Sequence, residues 1–571
     1  MSQKIASTAI SGSLRARSDS SRRERLRVAL LINSYVQPRW VSRIIREIAS
    51  SSVAEIAAVV MFEDDEGPCR TYCERVRALL ESSNGALFKM YAALDAAVFD
   101  APPHAFREDN IHNIVFDCPL LRVKTLRDSD RISVSPQELA KVEQHHPDVA
   151  LYFGSQSLGG AALGIARYGV WKYDHADHVL YHGGPPGFWE LMERNLTTGA
   201  VLQVLDEAGG RVIYRSLGLT DHWSLRRSLN HSYWQSSSFV MRVLGVLHKR
   251  GPSALTEACQ SLPDKSYSRP PHSAPGNLEV TALLIRFAAR YCRRKLRHLF
   301  YFDQWIIAYK FEDAFDSLGR NFRDFRLLVP PKDRFWADPF AVQKGDSYFI
   351  FFEELPYATG RGRLCCVEVF PNGNIGQPTV VLERPYHLSY PFVFQWGGQH
   401  YMIPETSQAR TIEMYRCNSF PGNWALETVL FRDINAVDTT LAEIDGRWWM
   451  FVSVGVEGVR DGFELNLFYA PSPLGPWTAH ANNPVKADIG ARPAGKLVCR
   501  NGEWYRPSQS AYGQSMSFHK ILRLDPDVFL ETEVARILPD WTEHLNGTHT
   551  FDTEGGLTVI DGLRRRRRHG G

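Results

Sequence analysis

Apolar and polar positions divide the chain into three kinds of pattern. The first is a set of short, unbroken apolar runs. Residues 26–32 (LRVALLI) read as a strand buried on both faces, as inside a parallel sheet. Residues 42–50 (SRIIREIAS) carry apolar positions at helical spacing, and 56–62 (IAAVVMF) form a second apolar run. Strand, helix and strand in that order predict a β-α-β opening with a right-handed crossover. Further strands are expected at 149–154 (VALYFG), after the turn signal HHPD, and within 198–209 (TGAVLQVLDEAG). Residues 26–245 are therefore expected to form an open α/β domain on a parallel sheet, behind a disordered tail at 1–25.

The second pattern fills 246–303. Residues 251–277 are rich in Pro and Ser, the composition of a linker. A helix is expected at 278–299. Leu283, Leu284, Phe287 and Tyr291 share one face, and Arg286, Arg290, Arg293, Arg294, Lys295 and Arg297 crowd the rest. The expectation is a solvated connecting helix packed on one of the domains. Weak contact with a membrane surface or an anionic partner is the alternative.

The third pattern is a repeat across 304–563. Four segments share turn, apolar strand, Gly turn and aromatic strand: ADPFAVQKGDSYFIFFEE, SYPFVFQWGGQHYMIPET, VDTTLAEIDGRWWMFVSV and RPAGKLVCRNGEWYRPSQ. A fifth, NGTHTFDTEGGLTVID, matches more weakly. The turn glycines Gly345, Gly398, Gly446, Gly502 and Gly556 are spaced by 53, 48, 56 and 54 residues. A period near 50 with strand content predicts a five-bladed β-propeller. Arg564–Arg568, a run of five Arg before HisGlyGly, is expected to be a disordered end.

Composition narrows the function classes. The chain has 571 residues, 44% hydrophobic and 23% charged, which suits packed cores and excludes wholesale disorder. A net charge of +3 excludes a strongly basic nucleic-acid binder. Nine Cys without a CxxC pair fit buried thiols in a reducing compartment. The first 26 residues carry no apolar stretch of the signal-peptide kind, and no run is long enough to cross a membrane, so a cytoplasmic location is expected.

Candidate chemistry enters through two resemblances. PDVALYFGSQSLGGAALGIARYG (147–169) and GGPPGFWELMERNLTTGAVLQVLDEAGG (183–210) resemble segments of the formyltetrahydrofolate-dependent formyltransferases. The matching features are their strand, substrate loop and helix, then their Gly/Pro loop, Trp-bearing helix and Asp-Glu-Gly turn. That family uses an Asn, a His and an Asp to hold the oxyanion and move the amine proton. Anchored on Trp189, this chain has Lys172 at the Asn position, Asp174 at the His position and Gly210 at the Asp position. A shift by one residue brings His175 to the base position. Lys172, Asp174 and His175 are the candidate catalytic groups here, and the resemblance implies a tetrahydrofolate derivative as a possible cofactor. His175, His178 and His182, with Asp174 and Asp177, have metal-ligand chemistry. They fall in an expected loop, where such residues are more often hydrogen-bonded, and no metal is expected.

The repeats resemble the five-bladed propellers of arabinanase- and xylosidase-type glycosidases. They resemble more closely the propeller-like N-terminal region of plant glucosamine inositolphosphorylceramide transferases. FWADPF (335–340), SYPFVF (389–394), VDTTLAEIDGRWWMF (437–451), ARPAGKLVCRNGEWYRPSQ (491–509) and NGTHTFD (546–552) carry this likeness. The glycosidases use an Asp on the first blade as base and an Asp on the third that tunes the acid. Asp338 and Asp438 match these positions. The family's acid, a Glu opening the fourth blade, is absent, and Arg492 stands in that motif. Asp338 with Glu405 is a conceivable carboxyl pair. Arg492 suggests an anion-binding site. Trp336 and His549 are expected at the same mouth.

Together these features predict a carbohydrate-modifying enzyme of the transferase type. It would act on an activated sugar or glycan precursor, with Trp336, Glu405, Arg492 and His549 binding substrate. The alternatives are a propeller glycosidase with an inert first domain, and a saccharide-binding protein.

Overall fold

The computed structural model describes residues 24–64, 85–99, 102–128, 131–154, 156–176, 184–207, 209–261, 272–317, 322–456, 463–510 and 513–568. The first unit is built on a nine-stranded sheet. At its centre Leu26–Ile32 pairs in parallel with Ala54–Asp64 on one side and Val149–Tyr152 on the other. The unbroken apolar run has the reason given by its pattern, because both faces are covered. Val28, Leu30 and Ile32 pack with Ile44, Ile45 and Ile48 of the helix Arg39–Ala49. Ala29 and Leu31 pack with Val60, Val123 and Tyr152 on the opposite face.

The sheet is mixed, where a parallel one was expected. Val170–Asp174 continues the parallel core beside Val149–Tyr152. Thr197–Val204 then runs antiparallel to both Val170–Asp174 and Arg211–Leu219. A hairpin turn with Gly209 and Gly210 at positive φ joins the last two strands, and so short a connection permits only antiparallel pairing.

Two expected boundaries move. Residue 245 falls inside the helix Phe239–Arg250, whose Phe239, Val240, Val243, Leu244 and Leu247 belong to the first core. The Pro/Ser-rich stretch begins with another helix, Ser253–Ser261. Pro252 just ahead of it is compatible with a first helical turn, so composition alone misread this segment. Residues 262–271 of the expected linker and 1–23 of the expected tail lie outside the described residues.

The helix Asn277–Phe300 follows, with the Glu279 carboxylate accepting from the Gly276 N–H at 2.9 Å. It runs directly into the strand Tyr301–Lys310.

That strand begins the propeller, whose five sheets are its blades. The first blade orders Arg334–Lys344, Ser347–Pro356, Arg363–Val369 and Thr379–Leu382 from the axis outward. Blades two to four repeat the plan from Ser389–Trp396, Ala436–Ile444 and the 491–510 region. The fifth blade is assembled from both ends of the repeat region. Leu557–Arg567 pairs with Phe551–Glu554 on one side and Tyr301–Lys310 on the other, which in turn pairs with Arg326–Leu328. This closure leaves the ring without a loose blade. It also corrects the expectation for the arginine run. Arg564–Arg567 finish a strand opposite Tyr301–Gln304. Arg566 donates to the Pro330 carbonyl at 2.9 Å, and Arg568 Nε to the His298 carbonyl at 2.8 Å. All five repeat glycines lie in the turns between each blade's first two strands, at positive φ.

The two units are docked through polar contacts of low exposure. Arg242 Nη1 donates to the Pro484 carbonyl at 2.8 Å, and Nη2 lies 2.9 Å from Glu464 Oε1. Gln235 Nε2 donates to the Ala487 carbonyl at 2.7 Å.

Candidate functional site on the propeller axis

The same backbone device recurs on the first strands of blades one, two and three. Pairing skips at Asp338-Pro339, Tyr390-Pro391 and Asp438-Thr439, which are bulges. The leading residue of each has positive φ: 53° at Asp338, 45° at Tyr390 and 52° at Asp438. A non-glycine residue in that region carries a local cost, and bulges of this kind re-aim side chains. Here they contribute to one connected group on the axis. Tyr390 Oη accepts from the Gly495 N–H at 2.8 Å and shares a 2.8 Å hydrogen bond with Thr440, tying blades two, three and four. The Tyr390 N–H donates to Asp338 at 3.2 Å.

Asp338 is 6% exposed and also accepts from Thr550 Oγ1 at 2.8 Å. Burial raises its pKa, with His549 opposing the rise. His549 Nδ1 lies 2.5 Å from Asp561 Oδ2, and Nε2 lies 3.7 Å from Asp338 Oδ1. Burial works against the imidazolium, but Asp561 and Asp338 outweigh it and hold His549 up to about 9. Asp561 also receives the backbone N–H groups of His549 and Thr550, at 2.8 and 3.0 Å. The indole of Trp305 stacks on His549 with ring centroids 4.0 Å apart, a favourable face for a cation.

Across the axis, Arg492 pairs with Asp438 through Nε and lies 3.7 Å from Glu405 with Nη2. Gln509 donates to Asp438 at 3.0 Å. Asp438 is pushed up to about 6 by burial, although Arg492 pulls the other way. Ser407 donates to Glu405 Oε1 at 2.7 Å. The arginine is half-buried at the mouth and the aspartate lies beneath it, with side-chain exposures of 26% and 1%.

Of the expected propeller residues, the structure brings Asp338, Glu405, Asp438, Arg492 and His549 to this site. Trp336 points its indole N–H at Glu354, 3.0 Å away, and packs on Phe352. The ring on His549 is Trp305. Sequence reading missed Trp305, Asp561 and Glu353. Glu353 is 5% exposed, and its pKa is raised well above the ordinary carboxylate range, by burial first and then by Asp338, Glu405 and Asp438. His387 Nε2 lies 3.3 Å from Glu353 Oε1. Their one available signal was position. Glu353 and Glu405 hold equivalent places on the second strands of their repeats, opposite Ala337 and Ser389, and Asp561 lies on the strand after the fifth turn.

Asp338, His549 and Asp561 hold ligand atoms within 4.8 Å of one another, close enough for a metal ion. A metal there would have to displace the proton that these two carboxylates hold on His549.

The first unit arranges its candidates differently. Lys172 and Asp174 lie on the strand Val170–Asp174, and Lys172 Nζ donates to the Gln156 carbonyl at 2.9 Å. His175 is enclosed in the core. Its ring stacks on Tyr233 with centroids 3.4 Å apart, lies edge-on to Trp40, and meets Ser236 Oγ at 3.0 Å. Burial drives its pKa down to about 3, against Asp174. His175 is thereby engaged within the core, its Nε2 with Ser236 and its ring faces with Tyr233 and Tyr173, which does not suit a base that must reach a substrate. Asp177, His178 and His182 lie outside the described residues.

The fold and the axial site define a five-bladed propeller with a carboxylate, arginine and histidine cluster on its axis. Residues 330–552 match the family described as glucosamine inositolphosphorylceramide transferase 1, N-terminal. The chain is 36% identical over 208 residues to glucosamine inositolphosphorylceramide transferase 1 of Oryza sativa subsp. japonica, covering 35% of this chain and 28% of that protein. It is 34% identical over 209 residues to the protein of that name from Arabidopsis thaliana, covering 35% and 27%. The chain thus matches little more than a quarter of the length of these curated relatives. Among solved structures, Zg3597, a family 117 glycoside hydrolase of Zobellia galactanivorans, shares 12% identity at a TM-score of 0.31, over 46% of this chain and 90% of that one. The GH43 endo-arabinanase of Bacillus licheniformis shares 12% identity at a TM-score of 0.29, over 43% and 97%.

Proposed function

We propose that the propeller is the saccharide-recognition unit of a carbohydrate-modifying protein of the transferase type, acting on a sugar, a phosphosaccharide or a glycolipid glycan. One observation carries this reading: Arg492 stands at the mouth of the axial site, paired with the buried Asp438 and close to Glu405. Nε and Nη2 of Arg492 are taken by Asp438 and Glu405, and the carboxylates it holds in place present acceptors to sugar hydroxyls. Trp305 beside His549 supplies an apolar ring of the kind on which a sugar face can stack. The similarity of residues 330–552 to the plant transferases supports a substrate of that class. Thermal-shift titration of the full chain with phosphosaccharides, nucleotide sugars and neutral glycosides tests it. Phosphosaccharides should raise the midpoint, and Arg492→Met should abolish that rise. A response to none of the three ligand classes would overturn the reading.

The first unit is proposed to be a formyltransferase-like scaffold that supports the propeller. That likeness rests on the segments at 147–169 and 183–210, and the core placement of His175 favours scaffolding over one-carbon chemistry. Loss of turnover in Lys172→Ala, with thermal stability unchanged, would refute this assignment.

A second reading, glycoside cleavage, is favoured by Glu353, whose pKa is raised by burial and then by the charge of Asp338. A raised carboxyl beside a second one is what general-acid chemistry uses. It predicts release of sugar from aryl pentosides or hexosides that Asp338→Asn and Glu353→Gln each abolish. Unchanged cleavage in both variants would dismiss it.

A further inference from the structure

The helix Asn277–Phe300 has work that the axial site does not explain. Its inner face is accounted for. Val280 and Leu283 are buried against Phe88, Tyr91, Phe188 and Leu191 of the first unit. The outer face carries a second apolar stripe. Leu278 is 88% exposed, Ile285 64%, Leu296 59% and Leu299 63%, and Cys292 is exposed. At the helical rotation per residue these five positions fall within an arc of about 60°.

Arginines lie to one side of that stripe, about 60–160° around the helix from Leu278 and next to the inner face. Arg194, Arg290, Arg293, Arg294 and Arg297 line a cavity of about 450 Å³, with Trp223 on its wall. Asp303 is the one carboxylate among its described lining residues. Arg290 Nε and Nη2 are buried without a hydrogen-bond partner among the described residues, and so is His222 Nδ1. Burial, then Arg194, lowers the pKa of Arg290. Arg194, Arg293, Arg294 and Arg297 are exposed and Arg290 is half-buried, so five guanidiniums gather around one carboxylate in an open pocket, an excess of positive charge that favours an anion there. Guanidinium geometry suits phosphate oxygens.

A bare apolar stripe beside a cationic pocket matches the chemistry of an anionic lipid surface. We propose that the helix Asn277–Phe300 seats the chain on a bilayer, its stripe entering the headgroup boundary while the arginine pocket takes a lipid phosphate. Apolar burial and electrostatic attraction act together in such helices. This inference does not depend on the reading of the axial site.

The test is co-sedimentation of the full chain with vesicles of phosphatidylcholine alone and of phosphatidylcholine mixed with phosphatidylinositol. Binding is expected with the mixed vesicles and should weaken as salt rises. Ile285→Glu with Leu296→Glu, both at exposed positions, should weaken binding about tenfold or more while leaving the circular dichroism spectrum unchanged. Arg290→Gln with Arg294→Gln should remove the preference for the anionic vesicles. Equal binding to neutral and anionic vesicles would overturn the proposal, as would sedimentation with neither. A parallel arm measures thermal shift with inorganic phosphate. Stabilisation through Arg290 without vesicle binding would show that the pocket takes a soluble anion and would refute the membrane role.

Discussion

His549 Nδ1 and Asp561 Oδ2 lie 2.5 Å apart on the fifth blade, joining the strand region 545–554 to the strand Leu557–Arg567. The contact holds a positive imidazole in a site where burial alone would discharge it. The same imidazolium faces Asp338, so the two ends of the propeller ring are coupled by charge as well as by strand pairing.

This pair makes alkaline pH destabilising. The histidine is raised from 6.5 in the open chain to about 9 in the fold. Its contribution is therefore complete below about pH 6.5 and is lost as pH rises through about 9. The loss is on the order of 3 kcal/mol. Calorimetry from pH 6 to pH 10 should show the propeller midpoint falling across that window. His549→Gln should lower the midpoint at pH 6 and flatten the fall. A wild-type midpoint independent of pH across the window would contradict the assignment.

Arg492→Met should destabilise the propeller by about 3–5 kcal/mol, because it strands a buried carboxylate. Asp438 is 1% exposed and loses its cation in this variant. Adding Asp438→Asn should recover part of the loss, since it removes the stranded charge. The double-mutant cycle, read by calorimetry, measures the coupling. Additive effects would mean that the two side chains act independently.

Gly495 lies where blades four and five approach closely. Its φ is 135°, and a Cβ there would stand 1.8 Å from the Phe551 carbonyl oxygen. The Phe551 N–H also donates to the Ala494 carbonyl at 2.8 Å. Gly495→Ala must part the two strands and should cost about 3 kcal/mol or more. Gly446 also has positive φ, but nothing lies near its Cβ position, so Gly446→Ala should cost about 1–2 kcal/mol. Comparing the yields of folded protein and the melting midpoints checks both.

Arg242→Ala should loosen the docking of the two units. It removes the ion pair to Glu464 and the donor to Pro484 at an interface where the paired side chains are 10% and 14% exposed. Limited proteolysis should then release two stable fragments sooner than from the wild type, and the calorimetric transition should split. An unchanged digestion rate would show that other contacts carry the interface.

Much of the fold was legible because its signals are local. The run LRVALLI is apolar throughout because both faces of its strand are covered, and the structure returns those seven residues as the strand. The five repeat glycines mark hairpin turns because each takes positive φ in a short turn. Asp338 and Asp438 were identifiable because the repeat places them alike on their first strands. By contrast, Ser253–Ser261 and Arg564–Arg567 were misread. Composition describes a segment's average character, whereas pairing with Tyr301–Gln304 gives the arginines a strand.

The sequence by itself determined how many blades form, where their turns fall and which residues lead each inner strand, since each of these depends on neighbours within a few residues. Only the tertiary structure decided which groups meet on the axis and in what charge state. Asp338 meets Thr550 across 212 positions, and Arg492 meets Asp438 across 54. Those distances depend on ring closure by the two ends of the repeat region, and the protonation of His549, Asp438 and Glu353 depends on the burial and opposing charges that closure creates.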